Sequence, residues 1–151
     1  MQFPVHIPFV EALGFELMRI GDGEAELRLA LQEQHFNSFR VAHGGVSMTL
    51  LDVAMAHAAR SINRERADFG PGVVTIEMKT SFMRPGEGEL RAIGRLLHRT
   101  ATLAFCEGEI LGADGERIAH ATGTFKYLRA LPSEKREVKP LQRRLDGAGS
   151  D

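Results

Sequence analysis

The stretch Asn37–Ile62, NSFRVAHGGVSMTLLDVAMAHAARSI, decides the fold of this chain. It begins as a polar loop and becomes apolar on nearly every face after two consecutive glycines. Between Val46 and Ala59 the polar side chains are those of Ser47, Thr49, Asp52 and His57. An α-helix that is apolar all round is a buried helix, and this one is too short and too interrupted to span a bilayer. The stretch therefore predicts the central helix of a globular domain, with the carboxylate of Asp52 in its middle.

The composition narrows the class of protein. A length of 151 residues suggests one domain, and 43% hydrophobic and 26% charged residues are ordinary for a globular chain. A net charge of −1 gives no sign of a nucleic-acid partner or of a basic membrane-binding surface. The single cysteine, Cys106, excludes an internal disulfide, and the N-terminus lacks the features of a secretory signal. We expect a cytoplasmic protein.

Short alternating segments on both sides of the helix predict an antiparallel sheet. Two strands before it flank a Gly-Asp-Gly turn, and four strands with short turns follow it. The predicted strands are Phe15–Ile20, Ala25–Leu31, Val73–Met83, Glu89–His98, Thr102–Leu111 and Arg117–Leu128, and a short helix is predicted over Pro8–Leu13. A single sheet wrapped around one apolar helix satisfies this order. Because such a sheet covers only one side of the helix, we expect a second copy of the chain to cover the other.

Changes of composition set the expected boundaries. We expect an N-terminal segment at 1–13, one domain at 14–130 and a tail at 131–151. The tail is charged, is nearly free of large apolar residues and ends in Gly and Ser, so we expect it to be mobile or loosely attached.

The start and the middle of the central helix together indicate acyl-transfer chemistry. The amide of Gly44 is open to approach at the positive end of the helix dipole, where an oxygen that becomes negative can be held. Asp52 can supply a general base or a nucleophile. It lies eight residues after Gly44, about 12 Å along the helix, which is too far for both groups of one chain to serve one carbonyl. From the residues alone, a tight turn and a satisfied core acid remain the simpler alternative.

These residues resemble a known signature. The residues concerned are Asn37, His43, Gly44, Gly45, Leu50 and Asp52. They are similar to the signature of the hotdog-fold acyl-CoA thioesterases of the PaaI-like type, within the 4-hydroxybenzoyl-CoA thioesterase superfamily. The resemblance continues through Gly72–Met78, Phe82–Pro85 and Ala119–Phe125. It implies an α+β hotdog fold, in which an antiparallel sheet wraps around one buried helix in a single domain, and hydrolysis of an acyl- or aryl-CoA thioester.

The resemblance implies a role for each residue of the central stretch. Gly44 would donate its amide to the thioester oxygen, and Asp52 of the opposite subunit would act as general base or nucleophile. Asn37 would help to position the thioester, and His43 would hold the loop in shape.

A hydroxyl on the long strand Val73–Met83 would orient the attacking water. The family position of this hydroxyl falls on Thr75 when the strand is aligned from its end at Met83. It falls on Val74 when the strand is aligned from its start at Gly72. The alternation along the strand sets Val74 and Met78 on one face and Thr75 on the other.

The resemblance also implies where coenzyme A binds. The residues are Arg84 and Pro85 in one turn and His98, Arg99 and Thr100 in another. The arginines would contact phosphates, and a solvated surface charge is the alternative for each. Coenzyme A is then part of the substrate, and we expect no cofactor. The six histidines show no metal-ligand spacing, so we expect no metal.

Further readings of the function and the assembly remain open. A hotdog hydratase or dehydratase would need a catalytic His paired with an acid, and a non-catalytic acyl-CoA sensor would carry a DNA-binding domain that has no counterpart here. We expect a homodimer that pairs into a dimer of dimers, with no nucleic-acid or membrane partner. The preferred acyl group, whether aryl, medium-chain or hydroxylated, does not follow from the sequence.

Overall fold

A computed structural model describes residues 1–63, 69–70 and 72–128. In chain order the elements are α1 (Pro8–Ala12), β1 (Glu16–Gly21), β2 (Glu24–Ala30), a 3-10 turn (Glu33–His35), α2 (Gly44–Arg60), β3 (Val73–Phe82), β4 (Glu89–Arg99), β5 (Leu103–Leu111) and β6 (Arg117–Tyr127). No helix among these residues is long and apolar enough to cross a membrane. The tail predicted at 131–151 lies outside the described residues, and so do the last two residues of the predicted domain.

The six strands form one antiparallel sheet in the order β1-β2-β4-β5-β6-β3. The apolar face of the sheet packs against α2, and Leu50, Leu51 and Met55 of this helix have no exposed surface. The predicted α+β architecture, one sheet around one central helix, is therefore confirmed.

The strand β3 lies at an edge of the sheet, which the sequence pattern did not predict. Short turns after the helix favour pairing of β3 with β4, the next strand in sequence. Instead β3 pairs with β6, and β4 pairs with β2 and β5. The connection over residues 83–88 crosses the ends of β6 and β5, a distance of about 14 Å at 4.8 Å per strand. Along the way it is held by hydrogen bonds from Met83 to Ile118 and from Ala42 to Gly86. Pairing partners depend on such long-range contacts, which local alternation does not encode.

The middle of α2 lies closest to the sheet over glycines. A Cβ on Gly94 of β4 would lie 2.4 Å from the backbone carbonyl carbon and oxygen of Ala54. A Cβ on Gly108 of β5 would lie 3.1 Å from side-chain atoms of Leu51 and Met55. Glycine is therefore required at residue 94, because two backbones meet there and neither can yield without moving a whole element.

Gly94→Ala tests this contact. We expect it to lower the free energy of unfolding by about 3 kcal/mol or more, at the upper end of the cost of overpacking a core. Gly108→Ala is the matched control, because the groups it meets are flexible side chains and its cost should be smaller. Urea denaturation of both variants measures the difference. An equal cost for the two substitutions would contradict the proposed backbone contact.

The N-terminal segment packs against α2, which the sequence did not lead us to expect. Val10 is buried, and the Phe3 ring meets the His57 ring edge-on with centroids 5.2 Å apart. Only a narrow stripe of α2 remains partly exposed, and this stripe includes Met48, Asp52 and Ala56. The chain thus covers part of its own central helix, so the expected second copy would have only the remaining stripe to cover.

Candidate active site

The loop before α2 leaves one backbone amide without a partner at the start of the helix. The Gly45 amide donates to Nδ1 of His43 at 2.9 Å, so the imidazole caps the helix. The amides of Val46 and Ser47 donate to the His43 carbonyl at 3.0 and 3.2 Å. The Gly44 amide has no acceptor among the residues that the structure describes. It is therefore available to a ligand at the positive end of the helix dipole.

The predicted loop residue Asn37 shapes the approach to this amide. Its side-chain oxygen accepts hydrogen bonds from the amides of Phe39 and Val41, at 2.9 and 3.3 Å. The side-chain oxygen is thus used within the loop, and the side-chain nitrogen of Asn37 has no hydrogen-bond partner among the described residues. Asn37 and His43 both hold the loop, as the resemblance implies for His43.

A second histidine, His35, also supports the loop, and the sequence analysis did not assign it a role. His35 is buried, its Nδ1 accepts from the Gln32 amide at 2.9 Å, and its Nε2 lies 2.8 Å from the Leu13 carbonyl. Its own carbonyl accepts from the His43 amide at 2.8 Å. The sequence feature that could have indicated this role is the histidine in the loop itself, because an imidazole ring can bridge two backbone groups.

Asp52 is held by a hydrogen bond from the long strand. The Thr75 hydroxyl donates to the Asp52 carboxylate at 2.6 Å. Burial raises the pKa of Asp52 above its ordinary value, and the hydrogen bond from Thr75 partly opposes this rise. A carboxylate with a raised pKa on a partly exposed helix face is a candidate catalytic group.

A β-bulge explains why Thr75, and not Val74, meets Asp52. The register of β3 against β6 shifts between Thr75 and Glu77. An extra residue in one strand re-aims the side chains that precede it. Thr75 and Met78 consequently both face α2, so the predicted strict alternation that separated them was wrong.

Two apolar pockets open on either side of Asp52. The first, called here the His57 pocket, has a volume of about 420 Å³ and is lined by Val5, Ile7, Val10, Asp52, Val53, Ala56, His57, Arg60, Gly72, Val73, Val74 and Thr75. The second, the Met48 pocket, has a volume of about 440 Å³ and is lined by Ile7, Phe9, Val10, Met48, Thr49, Asp52, Val53, Thr75 and Met78. Asp52 therefore lines both apolar cavities.

His57 lines the first pocket and is buried. It is 3% exposed, and its Nδ1 lies 2.8 Å from the Val53 carbonyl. Burial, together with the positive charge of Arg60, lowers the pKa of His57 to about 4. The ring is neutral at physiological pH, so Nδ1 carries the proton given to Val53 and Nε2 has a lone pair. Nε2 has no partner within the described part of the chain.

The two halves of the candidate site lie far apart in one chain. A Cβ on Gly44 would lie 3.5 Å from the ring of Phe82, at the end of β3. Asp52 bonds Thr75, near the start of β3. These two residues of β3 are about 23 Å apart at 3.3 Å per residue. One copy therefore does not bring Gly44 and Asp52 to a common carbonyl.

The residues predicted to bind coenzyme A also fall into two groups. Arg84 pairs with Glu116 at 3.3 Å and lies 3.9 Å from a carboxylate oxygen of Asp114, beside a surface pocket of about 400 Å³ that Pro85 also lines. This arginine is already neutralised by acids, which weakens its attraction for a phosphate.

The second group lies at the opposite end of the sheet. The guanidinium of Arg99 lies over the ring of Tyr127, 4.9 Å from its centroid, and His98 stacks on Phe105. The Thr100 hydroxyl accepts from the Leu103 amide at 3.0 Å and so shapes the turn. Tyr127 was missed by the sequence analysis, because only pairing of β6 with β5 brings it beside this turn. No cluster of His, Cys, Asp and Glu side chains suited to a metal occurs among the described residues.

Comparisons with known proteins agree with this architecture. Residues 39–119 match the family described as the thioesterase superfamily. The chain is 30% identical over 136 residues to the medium/long-chain acyl-CoA thioesterase YigI of Escherichia coli K12, covering 82% of this chain and 87% of that protein.

Two solved structures resemble the chain as well. The conserved protein PA5202 of Pseudomonas aeruginosa superposes with a TM-score of 0.76 at 32% identity, over 83% of this chain and 97% of that one. A variant of the phenylacetic acid degradation protein PaaI of Thermus thermophilus superposes with a TM-score of 0.70 at 29% identity, over 81% of this chain and 100% of that one.

Proposed function

The chain belongs to the thioesterase superfamily, and we propose that it hydrolyses acyl-CoA thioesters to the free acid and coenzyme A. The observation that carries the proposal is the carboxylate of Asp52, which accepts a hydrogen bond from Thr75 and lines two apolar pockets. An apolar site with one positioned carboxylate suits an acyl group and its hydrolysis. The similarity to a relative named as a medium/long-chain acyl-CoA thioesterase supports the same substrate class.

The proposed active unit is a homodimer joined along β3. This edge strand exposes apolar side chains, with Val74 45%, Ile76 55% and Phe82 54% exposed, and an apolar edge strand is a surface that proteins normally cover. Two β3 strands paired antiparallel about a centre near Met78 would set Thr75 of one copy opposite Phe82 of the other. Because Asp52 lies at Thr75 and Gly44 lies at Phe82, this pairing assembles the two halves of the site.

The hydrolysis then needs only water, the Asp52 carboxylate of one copy and the Gly44 amide of the other. In a general-base route, ionised Asp52 takes a proton from water while the oxygen of the water attacks the thioester carbon. The carbonyl oxygen becomes negative and accepts a hydrogen bond from the Gly44 amide of the other copy. The carbon–sulfur bond then breaks, the acid is formed, and the coenzyme A thiolate takes up the proton held by Asp52. In a nucleophilic route, Asp52 attacks the carbon itself, the thiolate leaves and takes up a proton from solvent, and water hydrolyses the acyl–Asp52 anhydride to release the acid and restore the carboxylate.

The same dimer would bring the two groups predicted to bind coenzyme A to one site. Arg84 follows β3 near Gly44, and Arg99 lies over Tyr127, whose strand partner in β3 is Val73. Antiparallel pairing would set Arg84 of one copy opposite Val73 of the other, at the same end of the seam as Arg99 of that second copy. Because Arg84 is paired with acids, we propose that Arg99 takes the larger share of the phosphate contacts.

Release of free thiol from a panel of acyl-CoAs tests the proposed function. We expect thiol to appear with at least one aliphatic or aryl substrate, at a rate proportional to enzyme. A loss of double-bond absorbance without thiol would indicate a hydratase instead. Saturable binding without turnover would indicate a non-catalytic acyl-CoA-binding protein.

Thr75→Val tests the control of Asp52 by its hydrogen bond. The bond favours the charged carboxylate, so its removal should raise the pKa of Asp52. Because the base must be ionised, kcat/KM should then begin to fall at a higher pH on the acidic side of the profile than in the wild type. Thr75→Ser keeps the hydroxyl and is the control, with an acidic limb close to the wild-type one. An unmoved limb in Thr75→Val would contradict the assignment.

A further inference from the structure

The two pockets beside Asp52 differ in depth and cover. The Met48 pocket is walled by Met48, Thr49 and Met78, which are all partly exposed, and by Phe9, which is 62% exposed. The His57 pocket is lined instead by Val5, Ile7 and Val10 of the N-terminal segment and by His57 and Arg60, which are both buried. An acyl chain that extends from Asp52 along α2 would therefore meet two buried side chains in this pocket.

We propose that the acyl group of the substrate binds in the His57 pocket, where Ala56 forms the wall and His57 limits the length of the acyl chain. The inference rests on the proposed function, since the occupant is the acyl part of the same thioester. The acyl chain would occupy this one of the two cavities, and Ala56 and His57 would determine which chain lengths fit.

Continuity with the carboxylate is the first argument. Asp52 and Thr75 line the His57 pocket directly, so an acyl chain can enter it while its thioester carbon stays beside the carboxylate. The Met48 pocket also reaches Asp52, but Met78 lines it, and Met78 lies at the centre of the proposed pairing of two β3 strands. The second copy covers that side, which leaves the His57 pocket to the acyl chain.

The lining gives the second argument. Val5, Ile7 and Val10 form the cover, and Ala56 and Val73 form the walls, so the middle of the pocket is apolar. Transfer of methylene groups from water into such a space is favourable. From Asp52 the helix rises about 7.5 Å to His57 and about 12 Å to Arg60. This depth fits a medium-length chain, and a longer one meets the buried His57 ring.

Ala56→Leu is the central test, because Ala56 lines the His57 pocket and not the other. The readout is the ratio of kcat/KM for decanoyl-CoA to that for butanoyl-CoA. We expect Ala56→Leu to lower this ratio at least about tenfold, since excluded methylenes lose their transfer energy. Ala56→Val should give a smaller change in the same direction, and thermal unfolding checks that both variants fold.

Thr49→Leu is the matched control, because Thr49 lines only the Met48 pocket. It should leave the ratio within about twofold of wild type. His57→Ala removes the ring from the pocket lining and should shift the preference towards chains longer than decanoyl.

A lowered ratio in Thr49→Leu with an unchanged ratio in Ala56→Leu would overturn the inference and assign the acyl group to the Met48 pocket. An unchanged ratio in both variants would overturn it as well. Failure of the wild-type protein to release thiol from any acyl-CoA is a different outcome, because it would refute the proposed function itself.

Discussion

Asp52→Asn is expected to lower kcat/KM for thioester hydrolysis by at least about 100-fold, within the range that a positioned acid–base group contributes. The amide keeps the shape of the carboxylate and can still accept the hydrogen bond that Thr75 donates at 2.6 Å. It cannot take a proton from water or attack a carbonyl carbon. Steady-state release of thiol measures the loss. A variant with activity within a few-fold of wild type would contradict the role of Asp52.

The stability of Asp52→Asn distinguishes a lost catalytic group from a damaged fold. Burial raises the pKa of Asp52 in the folded state, so the charge at neutral pH costs the folded protein stability relative to the unfolded chain. The variant, which carries no charge there, should unfold at the same temperature or a higher one. This gain should shrink as the pH falls through the folded-state pKa, where the wild-type carboxyl binds its proton. A lower unfolding temperature at neutral pH would show instead that the carboxylate supports the fold.

The elements of the fold could be predicted because the relevant information is local. The central helix and the six strands follow from apolar periodicity and turn residues, and the structure has all of them within a few residues of the predicted ends. The edge location of β3 could not be predicted in the same way, because it depends on which strands pair across the sheet. The close contact of Gly94 with the Ala54 backbone is likewise a property of two elements that are distant in sequence.

The candidate site shows the same division. Gly44 and Asp52 stand out in sequence because two glycines at a helix start and an acid inside an apolar helix are both unusual. The role of Thr75 was ambiguous because a β-bulge changes which residues of β3 face α2. No residue type in the strand marks that bulge. The contribution of the N-terminal segment to the pockets was not predicted, because it depends on packing that the sequence pattern does not reveal. Arg99 was assigned by resemblance, but its ring partner Tyr127 required the strand pairing.

Gly44→Pro is expected to lower kcat by about 100- to 1,000-fold, the cost of removing one hydrogen-bond donor from an oxyanion site. Proline removes the amide hydrogen, and this amide has no acceptor within the described residues. Residue 44 is the first of α2, where proline is favoured, and the preceding His43 has the extended backbone, with ψ of 137°, that proline prefers before it. The variant should therefore keep the unfolding temperature of the wild type. The measurement pairs thiol release with thermal unfolding.

Gly44→Ala is the control for this substitution, because alanine keeps the amide hydrogen. Its Cβ would lie 3.5 Å from the Phe82 ring, an ordinary contact, so activity should stay within a few-fold of wild type. Equal losses in Gly44→Ala and Gly44→Pro would indicate that the space beside Phe82 matters and the amide does not.

Mixing the two inactive variants then tests whether each site draws on two copies. In a mixed dimer of Asp52→Asn and Gly44→Pro chains, one site has an intact amide from the first chain and an intact carboxylate from the second, and the other site has neither. Random assembly of equal amounts makes half of the dimers mixed, so about one quarter of wild-type activity should return after refolding them together. If Gly44 and Asp52 of the same chain formed the site, every site would carry one defect and no activity would return. The separation of about 12 Å along α2 between Gly44 and Asp52 of one chain predicts the first result.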